Sequence, residues 1–149
     1  MNDYDDEVLR FVDIARKDNP REAIDVIDNP DTVFEQAKKT FPPLLGGIDW
    51  QRASQEFNDN VKSTSDLISV FIEQFVPYAG MNPKSYCIVL SDDFYGLGVR
   101  LQCKIVPQLL TDWLPLPHAI FIFSNDLKFV FHVSFIRDVS FGTSGVHQK

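Results

Sequence analysis

The chain has 149 residues, a hydrophobic content of 44% and a charged content of 23%. These values describe one ordinary globular domain, long enough to bury a core without a disulfide or metal staple. A net charge of −7 disfavours nucleic acid and anionic membrane as partners and favours a basic one.

The acidity is uneven. Residues 1–31 carry ten carboxylates against four basic side chains, whereas residues 77–149 carry five against six. The start, MNDYDDEVLR, lacks the basic-then-apolar pattern of a secretory leader. No apolar run approaches the roughly 18 residues of a membrane span. A cytoplasmic protein is therefore expected. Most of the 13 phenylalanines must be buried, because each carries a large apolar area. Two cysteines, Cys87 and Cys103, make neither a disulfide framework nor a metal-ligand spacing, so reduced thiols are expected.

The first half reads as helical. Tyr4, Val8, Phe11, Val12 and Ala15 recur at helical spacing, and the carboxylates Asp3, Asp5, Asp6 and Glu7 open that helix where its dipole favours negative charge. Asp-Asn-Pro follows twice, at 18–20 and 28–30. Asn is a good cap and Pro suits a first helical turn, so short helices are predicted over about 20–28 and 30–40. FPPLLGGIDW, at 41–50, reads as a packed connection. A long helix is predicted over about 52–76, with Phe57, Val61, Ile68, Phe71 and Phe75 on one stripe and Pro77 and Gly80 at its end.

The second half reads as sheet. SYCIVLS (85–91) is a short apolar strand, and DDFYGLG (92–98) is turn-rich. In GVRLQCKIV (98–106), Val99, Leu101, Cys103 and Ile105 face one way while Arg100, Gln102 and Lys104 face the other, as in an antiparallel strand with one wet face. PQLLTDWL (107–114) suits a short helix or turn. DVSFG (138–142) suits a last short strand, and about 143–149 suits a disordered tail. Helices first and strands second predict a single α+β domain, with N-terminal helices packed on one face of a C-terminal antiparallel sheet.

Between these lies HAIFIFSNDLKFVFH, residues 118–132, which reads as a hairpin. A three-residue loop at 124–126, with Asn125 or Asp126 left-handed, would set Ala119, Phe121 and Phe123 opposite Phe131, Phe129 and Leu127. That register gathers the aromatics on one side and puts His118 beside His132 on the other. Two histidines fall short of a zinc site. Acid–base catalysis also needs an orienting partner and a nucleophile or pocket, which the sequence does not supply. Phosphate-loop, dinucleotide, HExxH and CxxC patterns are missing. Neither a catalytic residue nor a metal nor a cofactor is expected.

The stretch 113–135 supports a resemblance. Trp113, then Leu116-Pro117-His118, an apolar strand at 120–123, Asp126 in the turn and an aromatic strand at 129–135 resemble a segment of small bacterial cytoplasmic proteins encoded beside polymorphic toxins. These include immunity proteins of contact-dependent growth inhibition systems. The match spans residues 113–135 of the chain's 149. It implies a single-domain, non-enzymatic inhibitor that binds a toxin domain, often a nuclease, and blocks its active site or substrate groove. Nuclease surfaces are commonly basic, which suits an acidic inhibitor. The partner-binding residues expected on that reading are Asp25, Asp28, Asp31 and Glu35, spanning two short helices and their junction, with Asp92 and Asp93. The alternatives are a regulatory or adaptor domain that binds a cellular protein, and a small hydrolase using His118 or His132.

Overall fold

The structure is a computed structural model describing residues 3–27, 29–41, 43–44, 47–48, 53–91, 97–113, 119–134 and 138–144. Helix α1 (Asp3–Asp18) forms as its spacing dictates, with Val8, Phe11, Val12 and Ala15 all buried. The first Asp-Asn-Pro ends it, and the Asn19 amide donates to the Ala15 carbonyl at 2.9 Å.

That motif starts no helix. Pro20 is extended, at φ −57° and ψ 146°, and a 3-10 turn (Arg21–Ala23) leads into strand β1 (Ile24–Ile27). The helix expected over 20–28 is therefore corrected to a turn and a strand. The reason lies in Ile24, Val26 and Ile27, whose branched side chains are stiff and pack best on a pleated surface. The second Asp-Asn-Pro does open a helix, α2 (Asp31–Thr40), with the Asn29 side chain accepting from the Asp31 backbone N–H at 3.3 Å. A small ribbon follows, β2 (Pro43–Leu44) paired with β3 (Gly47–Ile48).

The long helix expected over 52–76 is also corrected. Its first part is strand β4 (Ala53–Asn60), and helix α3 begins only at Thr64. Ser63 marks the start, being extended while its hydroxyl accepts from the Asp66 N–H at 3.1 Å. α3 (Thr64–Val70) runs through a π-helical turn (Phe71–Phe75) into α4 (Val76–Tyr78), and Gly80 ends it at φ +71°. Such a left-handed exit favours glycine. The apolar stripe that suggested one helix is real, but it meets across two elements. Phe57 on β4 stacks on Phe141 at 5.1 Å, and Phe75 meets the same ring edge-on at 5.4 Å. Ser63→Ala removes the cap, so chemical denaturation should show about 1 kcal/mol of lost stability. A helix continuous from residue 52 would give almost none.

The remaining elements are β5 (Tyr86–Ser91), β6 (Gly98–Gln102), a 3-10 turn (Cys103–Ile105), α5 (Val106–Trp113), β7 (Ile120–Ser124), β8 (Phe129–Val133) and β9 (Asp138–Ser144). β6 stops at Gln102, earlier than its alternation suggested, yet Val99, Leu101, Cys103 and Ile105 are all buried as expected. Gly98 opens β6, where a Cβ would lie 2.8 Å from Leu90 Cδ2 and 3.2 Å from the Val89 carbonyl. β9 extends through Thr143 and Ser144. Those two residues are thus strand and not tail. The Thr143 hydroxyl donates to the Lys128 carbonyl at 2.8 Å.

Seven strands form one sheet in the order β1-β6-β5-β7-β8-β9-β4, every neighbour antiparallel. The α+β class is as expected. Both sheet edges, β1 and β4, come from the N-terminal half. α1, α3 and α5 pack on the first face, over a core that includes Phe71, Phe75, Phe131 and Phe141. α2 packs on the second face, where Ala37 and Phe41 join Ile88, Leu90, Phe121, Phe123, Leu127 and Val130. Helices therefore cover both faces, which adds a layer to the expected one.

This second layer explains a further correction. The hairpin pairs Ile120 with Val133, Phe121 with His132, Ile122 with Phe131 and Phe123 with Val130. The aromatics are divided, Phe131 and Phe129 toward the first face and Phe121 and Phe123 toward the second. Gathering them on one side was the basis for the expected register, and a sheet buried on both faces removes that requirement. The turn is longer as well. Leu127, at φ +62°, takes the left-handed position expected of Asn125 or Asp126. Its N–H donates to the Ser124 carbonyl at 2.8 Å. Asp126 Oδ1 accepts from the Ser124 hydroxyl at 2.7 Å and from the Lys128 N–H at 3.1 Å. The Ser124 hydroxyl oxygen accepts from the Phe129 N–H at 3.1 Å. These side-chain bonds set the register from within the turn.

Candidate functional site

Of the six acidic residues expected to bind a partner, Asp25, Asp31 and Glu35 fall among the described residues, and Asp28, Asp92 and Asp93 lie outside them. The three described carboxylates are all exposed but do not share one setting.

Asp31 and Glu35 stand four residues apart on α2, one above the other on the helix surface. The buried side of α2 is Ala37, with Val33 and Phe34 half-buried, so these carboxylates are carried by the opposite side. Among the described residues neither forms an ion pair. Lys38 and Lys39 close the helix, and Lys38 Nζ lies 6.0 Å from the Phe34 ring centre. α2 is thus acidic where it starts and basic where it ends, matching its dipole.

Asp25 sits among arginines. It pairs in register with Arg100 across β1 and β6. Arg16, reaching from α1 round the sheet edge, places Nη2 3.4 Å from Asp25 Oδ1 and donates to the Ile24 carbonyl at 3.1 Å. Asp25 is 74% exposed, so water screens that pair and its stabilisation is at most about 1 kcal/mol. The bond to Ile24 has a second use, since it occupies an edge-strand group that would otherwise invite pairing. Arg100 stacks on Tyr86, with its guanidinium carbon 4.0 Å from the ring centre, and its Nε donates to Asn125 Oδ1 at 3.0 Å. The Tyr86 hydroxyl donates to the Glu22 carbonyl at 2.7 Å. Arg16, Arg21, Glu22, Asp25, Tyr86 and Arg100 line an open concavity of about 520 Å³. Three guanidinium groups face two carboxylates there, so Asp25 does not extend the acidic face of α2. Arg100 was legible on the wet face of β6, but Arg16, Arg21 and Tyr86 meet it only through the fold.

Part of the N-terminal acidity is structural. Asp5 Oδ1 accepts from the Leu97 N–H at 2.9 Å, tying the start of α1 to the entry of β6. Glu7 and Arg10 form an ion pair one turn apart. Asp6 and Asp13 face solvent.

His118 lies outside the described residues. His132 is half-buried and stacks on Phe121, its cross-strand partner, with ring centres 4.5 Å apart. Its partner on β9 is Ser140. Asp138, the next residue along that face of β9, accepts from Asn60 Nδ2 at 2.8 Å. His132 thus packs as an aromatic, and the pairing expected between the two histidines is replaced by His132 against Phe121.

Among the described residues, no group of three His, Cys, Asp or Glu side chains is placed to hold a metal ion, and no helix is long and apolar enough to cross a membrane. No model of a known protein family matches the chain, and neither the curated proteins nor the solved structures contain a match to it.

Proposed function

We propose that this chain is a cytoplasmic immunity protein that binds a toxin domain, a nuclease with a basic surface, and covers its active site or substrate groove. The observation that carries this reading is the pair Asp31 and Glu35, two solvent-facing carboxylates a single turn apart on α2. Asp31 ends, and Glu35 follows, the N-terminal segment 1–31, which holds most of the chain's net charge of −7. The resemblance of residues 113–135 supplies the class of partner. Opposite charge across an interface mainly raises the association rate, through steering that salt screens.

The test is binding to the toxin domain encoded beside this chain's gene, measured by surface plasmon resonance across a salt series. Asp31→Lys with Glu35→Lys should slow association about 10-fold at low salt, and the difference should shrink at high salt. Asp25→Lys should change association far less, because Arg16 already screens that carboxylate. An association rate unmoved by the double reversal would remove α2 from the interface. Failure of any neighbouring toxin domain to bind would overturn the reading itself.

A further inference from the structure

Cys87 and Cys103 are the buried reactive groups that a toxin-binding role leaves unused. Cys87 lies on β5 opposite Leu101, and Cys103 follows two positions further, in the turn after β6. The Cys103 N–H donates to the Ser85 carbonyl at 2.8 Å, which holds the turn against β5. Both side chains point into the first-face core, and their sulfurs are 3.2 Å apart. This is closer than two packed thiols need to be, and only about 1.1 Å longer than a sulfur–sulfur bond.

The two sulfurs are not equivalent. Cys87 is fully buried, whereas Cys103 retains 3% exposure. A hydrogen bond from Cys87 lowers the Cys103 thiol below its ordinary value, against the effect of burial. The same contact raises Cys87, with burial adding to it. Met81, half-buried at the margin of that core, places Sδ 3.9 Å from the Cys103 sulfur. Met81 also lines an open concavity of about 360 Å³, beside Ser85 and Tyr86. A methionine is unbranched and moves easily between rotamers. It touches both that concavity and the more acidic of the two thiols.

We propose that Cys87 and Cys103 are a redox modification site, a dithiol that small-molecule disulfides convert to an intramolecular disulfide with Met81 as its gate. The Cys103 thiolate attacks one sulfur of the small disulfide and expels the other half as a thiolate. Cys87 then loses its proton and attacks the Cys103 sulfur, expelling the second half. Two protein thiols are oxidised by two electrons, one small disulfide is reduced to two thiols, and the protons of Cys87 and Cys103 end on those thiols. The product staples β5 to the turn that launches α5, closing a loop of about 15 residues. Nothing in this step depends on the toxin-binding reading.

The experiment incubates the reduced, folded protein with oxidised glutathione and reads intact mass, free thiols after denaturation, and thermal melting. The proposal expects a monomer lighter by two hydrogens, no thiol open to alkylation, and a melting midpoint raised by roughly 5–10 °C. Met81→Ala should speed the reaction several-fold without changing its product. Cys87→Ala should stop at a glutathione adduct on Cys103. If that variant does not fold, the mass of the wild-type product decides alone. A stable glutathione adduct on the wild type, a covalent dimer, two thiols still open to alkylation, or a disulfide that forms only in urea would each overturn the proposal.

Discussion

Replacing Phe131 with alanine will cost about 3–5 kcal/mol of folding stability, the largest loss expected from any single truncation in this chain. The ring is fully buried at the middle of β8. It meets Phe71 edge-on at 5.3 Å, Phe75 at 5.3 Å and Phe141 at 6.0 Å. Those partners come from the helical segment after α3 and from β9, so the cavity opens where helix and sheet are joined. Each aromatic pair adds about 0.5–1.5 kcal/mol beyond its buried area. Rings anchored on two backbones cannot all collapse into the gap, so the cavity cost persists. Urea unfolding should show a lower midpoint at unchanged slope. A loss below about 1.5 kcal/mol would mean that Phe131 is not the centre of this core.

The second large effect is expected at Leu127, and it has an unusual order. Leu127 is 8% exposed within the second-face core, and it holds φ +62°. The left-handed conformation costs a non-glycine residue about 1–2 kcal/mol. It is tolerated because burial of the side chain, and the bonds around Ser124 and Asp126, offset it. Leu127→Ala loses the burial and keeps the strain, so it should cost about 2–4 kcal/mol. Leu127→Gly loses the same burial but relieves the strain. Even after glycine's greater freedom in the unfolded chain, it should be less damaging than alanine by about 0.5–1 kcal/mol. Inside a regular strand the order would be reversed. The comparison therefore reports the backbone conformation of this turn, and alanine proving the milder change would show that Leu127 is not left-handed.

Much of the fold was legible because burial follows periodicity. α1, α2, α5 and the strands after residue 85 are set by spacing that a pleated or helical surface imposes. The two misread elements are both edge strands. β4 carries Gln55, Glu56, Asn58, Asp59 and Asn60 to solvent, with Phe57 as the one aromatic in its run. Its strand form comes from backbone pairing with β9, which leaves no apolar alternation to read. β1 is four residues long, too short for a period to separate from the helical one. The hairpin register failed for a related reason, since nothing in residues 118–132 announces that α2 will bury their second face.

The candidate site was legible only where charge alone decides. Asp31 and Glu35 share an exposed helix side because four residues make about one turn. Asp25 looked equivalent in sequence, but placing it on a strand brought Arg100 opposite it and Arg16 round the edge. The closeness of Cys87 to Cys103 likewise depends on the β5–β6 register, which no spacing rule for cysteines encodes.

The placement of β1 and β4 at opposite edges also has a consequence during synthesis. Asn60, at the end of β4, meets Asp138 on β9, 78 residues later. β1 waits almost as long for β6. At about 5–20 residues per second, a ribosome takes roughly 4–16 s to supply what each early strand pairs with. Through that interval both segments are on the emerging chain without their sheet. Their polar or very short character keeps them from templating association with other chains. The feature that hid them from a reading of periodicity is what makes that delay safe.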